Sequence, residues 1–354
     1  MRRLALVLLV AACGGSSSPK VAKPTGPEVD TKTAESDAKG LLTEIYQSIS
    51  RGKSDNLFTL LNPKLAVFGP RKGDAPVTRE AALVALGAVV DAKATSHAQV
   101  RGGSPSFVAS PGGHSAWGYD LIDVDGAPMA VLAVLSNDDD IWLVTAAAIA
   151  KTPSMKQVRA ELKKVAVVPP GATAAANVDS RAKGAVERFE KGLLDQEVWG
   201  EDLASRTEAI VIGPASGEVT RGKKEIKKLW KKRVAAHTRE AASGEVTAEA
   251  TADAQLAWVT APVTMVADDE DPLPLRVFAV FERSGDAWKM IALHEAVAFD
   301  EPGAGAPFVK ILPPAAKPPE PPPKEEEAKK PDKHAKSAKK TKKTKKKKKP
   351  ADDE

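Results

Sequence analysis

Trp288-Lys289-Met290-Ile291-Ala292-Leu293-His294-Glu295-Ala296 closes the last apolar stretch of the chain, before prolines and lysines take over. It reads as the core of a strand running from Ala287 to Phe299. Residues two apart on a strand share a face, so Trp288, Met290, His294 and Ala296 are expected to point the same way. Upstream, Gly244 to Ala252, Gln255 to Val266 and Leu275 to Arg283 read as three more strands. Before them come helical signals. Val186, Phe189 and Leu193 are spaced as one helix face, and a short second helix lies around Asp202. A strand follows, ending at the turn pair Gly213-Pro214. A third helix carries Ile226, Leu229, Trp230 and Val234 as its apolar stripe. Its other face, with Lys223, Lys224, Lys227, Lys228, Lys231, Lys232 and Arg233, reads as a solvated surface. Helices followed by antiparallel strands predict an α+β layer, helices on one face of a sheet.

The same order occurs once before. Ala38-Lys39-Gly40 recurs as Ala182-Lys183-Gly184, 144 residues later, and Val67-Phe68-Gly69-Pro70 as Val211-Ile212-Gly213-Pro214 at the same offset. Ala116-Trp117 recurs as Ala257-Trp258, and Ala133-Val134 with Trp142 as Ala279-Val280 with Trp288. In this first copy the helix stripes are Leu41, Leu42, Ile45 and Ile49, then Asp55 to Leu61, then Leu83, Leu86 and Val90 behind Thr78 and Glu80. The strands are His97 to Ser110, His114 to Val124, Pro128 to Ser136 and Ile141 to Ala150. The expected architecture is a duplicated domain, the copies packing on each other as a pseudo-dimer. The linker between them holds a short helix at Gln157 to Val165 and then Pro169-Pro170-Gly171.

This order, with Trp288, Met290, His294 and Ala296 in the closing strand, resembles the SnoaL-like domain of the nuclear transport factor two-like superfamily. The resemblance implies a strongly curved sheet that wraps its helices into a cone with a cavity. It implies fold far more than activity, because the superfamily holds isomerases, cyclases, transport adaptors and scaffolds. Ala148 stands in the first copy where the histidine would be.

At the N-terminus, Met1-Arg2-Arg3 precedes the apolar run Leu4 to Val10, too short to span a bilayer, and Ala11-Ala12 lead into the chain's one cysteine, Cys13. Val10-Ala11-Ala12-Cys13 resembles the lipobox of bacterial lipoproteins. The resemblance implies cleavage before Cys13, lipid on its sulfur and residence in the cell envelope, by default at the outer membrane. Gly14 to Asp37 read as a disordered tether. The expected organisation is therefore a signal peptide 1–12, a lipidated tether 13–37, a first domain 38–152, a linker 153–178, a second domain 179–302 and a Pro/Lys-rich disordered tail 303–354.

The formal net charge of +5 misleads, because Pro313 to Glu354 hold 15 lysines against 8 acids and the rest is slightly acidic. A nucleic-acid partner is therefore not expected. The tract Lys329 to Lys349 suits anionic envelope polymers or lipid head groups, a polyanion-binding alternative that works by counterion release. A single cysteine excludes an internal disulfide. No zinc spacing, phosphate loop or Ser-His-Asp arrangement is present, so neither metal nor cofactor is expected. Asp268-Asp269-Glu270-Asp271 reads as a solvated turn.

A small apolar ligand is expected in the second copy, against His294, Trp288 and Met290, with Trp258 flooring the pocket. The competing reading is a core of packed side chains. The leading function is a non-enzymatic, lipid-anchored binding or scaffold module. The alternative is an isomerase or lyase of the ketosteroid-isomerase-like type using His294. Such chemistry needs a carboxylate and an acidic donor such as Tyr in one cavity. Of the two tyrosines, Tyr46 and Tyr119, the second is adjacent to Asp120 on a strand and so faces the opposite side.

Overall fold

Leu41, Leu42, Ile45 and Ile49 form the buried face of α1 (Thr31–Ser50), which begins earlier than the expected boundary at 38 because Asp30 caps it, accepting from the Thr33 amide at 3.0 Å. The computed structural model describes residues 29–68, 99–138, 140–162, 175–268 and 270–297. Outside them lie the segment 1–12, Cys13 and most of the tether. So do the Leu83, Leu86 and Val90 helix, Pro169-Pro170-Gly171 and the lysine tract Lys329 to Lys349. The described residues all belong to one compact unit, Met1–Pro314.

Two sheet bodies make up that unit. After α1 and α2 (Ser54–Leu60), the first contains β1 (Leu61–Phe68), β2 (Val100–Gly102), β3 (Ser106–Ala109), β4 (Ser115–Val124), β5 (Ala127–Asp138) and β6 (Ile141–Lys151). The strand order is β1-β6-β5-β4-β2, with β3 also on β4; β1 runs parallel to β6 and the other pairs are antiparallel. The stretch expected as one strand from His97 is broken at Gly102 and Gly103, both at positive φ.

A linker helix, α3 (Met155–Leu162), leads to the second body: β7 (Ala175–Val178), α4 (Lys183–Leu194), α5 (Gln196–Leu203), β8 (Ile210–Ile212), β9 (Val219–Arg221) and α6 (Gly222–Ala235). The remaining strands are β10 (Arg239–Ala242), β11 (Val246–Ala250), β12 (Leu256–Val266), β13 (Leu273–Ser284) and β14 (Ala287–Val297). Their order is β7-β11-β12-β13-β14-β8-β9, with β10 also on β12 and β8 parallel to β14. The two bodies thus share a path: a long hairpin pair flanked by a parallel strand on one side and by two short strands on the other. The fold is α+β, with curled sheets wrapping their helices.

Each closing strand carries one extra residue. Val280 pairs with Ala292 and Phe281 with Met290, which leaves Ile291 as a bulge; Val134 pairs with Ala146 and Leu135 with Val144, which leaves Thr145. A bulge inverts the alternation of faces beyond it. In β14, Trp288 and Met290 therefore point to the helices, whereas Ala292 and His294 point away from them.

The apolar groups fall into three cores accordingly. Leu41, Ile45, Leu57, Ile122 and Met129 fill the first body beneath α1 and α2. Phe189, Trp199, Ile226, Trp230, Phe281 and Met290 fill the second. In the third, the faces turned away from the helices meet, and Trp117, Leu132 and Val134 pack with Ile210, Trp258 and Phe278. Polar links support that contact: Ser115 Oγ donates to Asp253 at 2.9 Å, and the Arg221 guanidinium stacks 4.8 Å over the Tyr119 ring.

Candidate functional site

The expected ligand set does not converge. Trp288 and Met290 lie in the second body's helix-covered core, but His294 and Trp258 sit on the opposite face, in or beside the layer between the sheets. The cause is the bulge at Ile291, which a strict two-residue period does not include. Nor are β12 and β14 neighbours, since β13 separates them. Ala296 shares the His294 face. His294 is 2% exposed, pairs across the ladders with Phe278 and Ile212, and its Nδ1 has no hydrogen-bond partner. Burial holds its pKa down at about 4, so the ring is neutral at physiological pH.

Inside the second body the strands and α6 assemble a different set. The apolar stripe of α6 runs Ile226, Leu229, Trp230 and then Arg233, not Val234, which is 40% exposed. The solvated face expected from the sequence includes Arg233. Its position seven after Ile226 and three after Trp230 puts it on the buried one. Its guanidinium holds Glu295 of β14 through two bonds, Nη1 to Oε1 at 2.7 Å and Nη2 to Oε2 at 2.5 Å. It also reaches Glu240 of β10, Nη1 to Oε1 at 3.3 Å, and stacks 4.8 Å over the Trp230 ring. Both glutamate side chains are fully buried.

Two carboxylates against one guanidinium leave a surplus of negative charge in a dry site. Burial first, and the neighbouring Glu295 second, push the Glu240 pKa up to about 8. Glu240 is thus a neutral acid at pH 7, set against the Gln196 carboxamide. Gln196 is buried at the start of α5, and its backbone carbonyl accepts from Trp230 Nε1. On the same side, Asp202 takes a two-point bond from Arg188, both contacts at 2.6 Å, and accepts from the Met290 amide at 3.4 Å.

A cavity of about 720 Å³ opens beside Arg233, its wall formed by Val211, Leu229, Met265 and Leu273, with Glu218 and Lys232 at polar points. The linker helix α3 forms part of its rim: Met155 and Arg159 face the cavity, Val158 is buried in the second body's core, and Arg159 reaches Glu270 at 3.5 Å. The Ser216 amide donates to the Pro153 carbonyl at 2.8 Å, tying the start of α3 to the β8–β9 loop.

The first body holds a second buried pair. Tyr46 on α1 faces Asp120 on β4, which points into the helix-covered core; Tyr119, as expected, faces away toward Arg221. Asp120 Oδ1 accepts from the Ser104 and Leu121 amides at 2.9 and 2.8 Å, and its carboxyl also faces the Tyr46 hydroxyl. Burial raises both pKa values, and for Tyr46 the Asp120 charge adds to the effect. Gly103, at φ +96°, sits where an added Cβ would come within 2.6 Å of Asp120 Oδ2. Among the described residues no group of His, Cys, Asp and Glu could hold a metal ion, and no helix is long and apolar enough to cross a membrane.

Residues 200–300, from the end of α5 through β14, match the family described as SnoaL-like domain. No curated protein matches the chain. Similar solved structures include NTF2-like proteins of unknown function from three bacteria. That of Silicibacter pomeroyi is 16% identical, covering 34% of this chain and 98% of its own, with a TM-score of 0.27. That of Pseudomonas putida is 15% identical, covering 35% and 94%, with a TM-score of 0.28. That of Shewanella baltica is 14% identical, covering 36% and 100%, also with a TM-score of 0.28.

Proposed function

With a SnoaL-like domain at residues 200–300 as the starting point, we propose that the chain is a lipid-anchored envelope protein whose second body binds a small, mainly apolar molecule without transforming it. The cavity beside Arg233 carries this reading. Its wall is largely apolar, and of the charged groups on it Arg233 is held by Glu295 and Arg159 reaches Glu270. Such a site favours an uncharged guest with one polar group, for which the Thr220 and Thr238 hydroxyls stand on the wall. The first body, with Ala148 in place of the histidine, serves as support and completes the layer between the sheets. The anchor is the lipid on Cys13, and the lysine tract Lys329 to Lys349 gives a second, anionic contact in the envelope.

The uncharged dye N-phenyl-1-naphthylamine tests the pocket in the full chain. Saturable binding that is lost in Leu229→Trp and Met265→Trp, at unchanged melting temperature, is the expected result. Binding that ignores both substitutions, or no binding, overturns it. Mass spectrometry of the mature N-terminus tests the anchor: a free thiol at Cys13 with residues 1–12 still attached removes it.

A second reading, an isomerase or lyase, draws on Tyr46 and Asp120, a donor and a carboxyl facing each other out of water. It does not draw on His294, which faces away from the helix-covered core. Turnover of a cyclic ketone abolished by Asp120→Asn but not by His294→Ala would favour it over the binding module.

A further inference from the structure

We infer that the outer face of α6 and the adjoining end of α4 dock the second body onto an anionic lipid bilayer. Leu194, the last residue of α4, is 92% exposed, far more than any other large apolar side chain among the described residues. Val234 of α6, also exposed, lines the same shallow depression, together with His237 and Arg239. Two protruding aliphatic groups side by side are costly in water and call for a cover.

The charge around them is strongly basic. Lys223, Lys227 and Lys231 recur every four residues along α6, so they form one row, and Val234, three beyond Lys231, ends it. Lys224, Lys228 and Lys232 form the adjacent row. All six are exposed, and Glu225 is the only acid on the helix, bonded to Lys228 at 2.8 Å. Three carboxylates share the depression. Of these, Asp195 is occupied as the cap of α5, and Asp268 holds His237 at 2.5 Å. Glu197 remains, so the basic side of the patch leans to the surface first.

Leucine and valine at the headgroup boundary, flanked by lysines whose stems lie along the apolar layer while their ammonium groups meet anionic heads, are the pattern of an interfacial contact. A nucleic acid would use the lysines but gain nothing from Leu194. The patch also presents no exposed Phe, Tyr or Trp ring for bases to stack on, and its one imidazole, His237, is held by Asp268. The surface needs no lipid on Cys13.

Sedimentation with vesicles tests it, using the full chain carrying Cys13→Ser so that no acyl chain contributes; every variant keeps the lysine tail. Vesicles of phosphatidylcholine with about one third phosphatidylglycerol are compared with phosphatidylcholine alone. Against the parent, Lys227→Glu with Lys231→Glu is expected to lower partitioning about tenfold or more and Leu194→Asp about fivefold, at unchanged melting temperature. Leu194→Trp gives a direct reading: its added emission shifts to the blue on anionic vesicles and is quenched by brominated acyl chains. Partitioning equal to the parent's in the charge and Leu194→Asp variants, or an added indole emission in Leu194→Trp that the vesicles leave unchanged, overturns the proposal. So does an RNA-binding pattern, in which the lysine pair weakens RNA and vesicle binding alike and Leu194→Asp weakens neither.

Discussion

Arg233, Glu240 and Glu295 show how one helical position sets a site's electrostatics. A glutamate in an unfolded chain titrates near 4.5, whereas Glu240 in place titrates near 8, so folding favours its protonated form. The stability this gives is complete below pH 4.5 and is lost as pH rises through 8. Glu240→Gln, which keeps the neutral shape, should flatten that slope and raise stability at pH 9 by on the order of 2–4 kcal/mol, read by urea unfolding across pH. His294 has the opposite sign. Its folded pKa is depressed from 6.5 to about 4, so its contribution is present above pH 6.5 and lost as pH falls through 4. His294→Met should remove the acid-side loss over that window. Arg233→Met leaves two buried carboxyls facing each other without a cation and should cost about 3–5 kcal/mol; adding Glu295→Leu should recover much of it. The arginine is legible in hindsight. It falls on the apolar stripe of α6 by simple helical spacing, but its place in a run of lysines suggests solvent. The glutamates are not legible, since nothing in Arg239-Glu240-Ala241 or His294-Glu295-Ala296 says that a cation will arrive from a helix.

At the scale of elements, local pattern carries far. The strands expected at Gln255 to Val266 and Ala287 to Phe299 appear as Leu256–Val266 and Ala287–Val297, and apolar spacing finds the helix stripes of α1, α4 and α6 with one residue wrong. Alternation fails at Ile291, where an extra residue reverses which way the rest of β14 faces. Nothing in Met290-Ile291-Ala292 announces a bulge: no glycine is present, and all three side chains suit either face. Deleting Ile291 should restore strict alternation and remove the bulge alone. Ala292 and His294 would still face away from the helices, and Leu293 and Glu295 toward them. The Arg233–Glu295 ion pair and Leu293 packing are then kept, so near-ultraviolet circular dichroism should be retained, whereas an alanine inserted after Ile291 should reverse those faces and abolish it.

For the whole molecule, the layer between the sheets decides cooperativity. Trp117 and Trp258, which occupy matching places in the sequence, both lie in it and are buried. Trp117→Ala and Trp258→Ala should each cost about 3–5 kcal/mol. Calorimetry should show a single transition for the parent and its division into two when this layer is weakened. Two identical subunits meeting through such a face must offer the same residue from each side. Here one polypeptide supplies both sides, so that constraint is lifted: imidazole can be held on one half while the corresponding place on the other is alanine. Neither half can trade its neighbour for a stranger, because the tie between them keeps each at a high effective concentration for the other. One half is thereby free to change its chemistry while the other keeps the pair together.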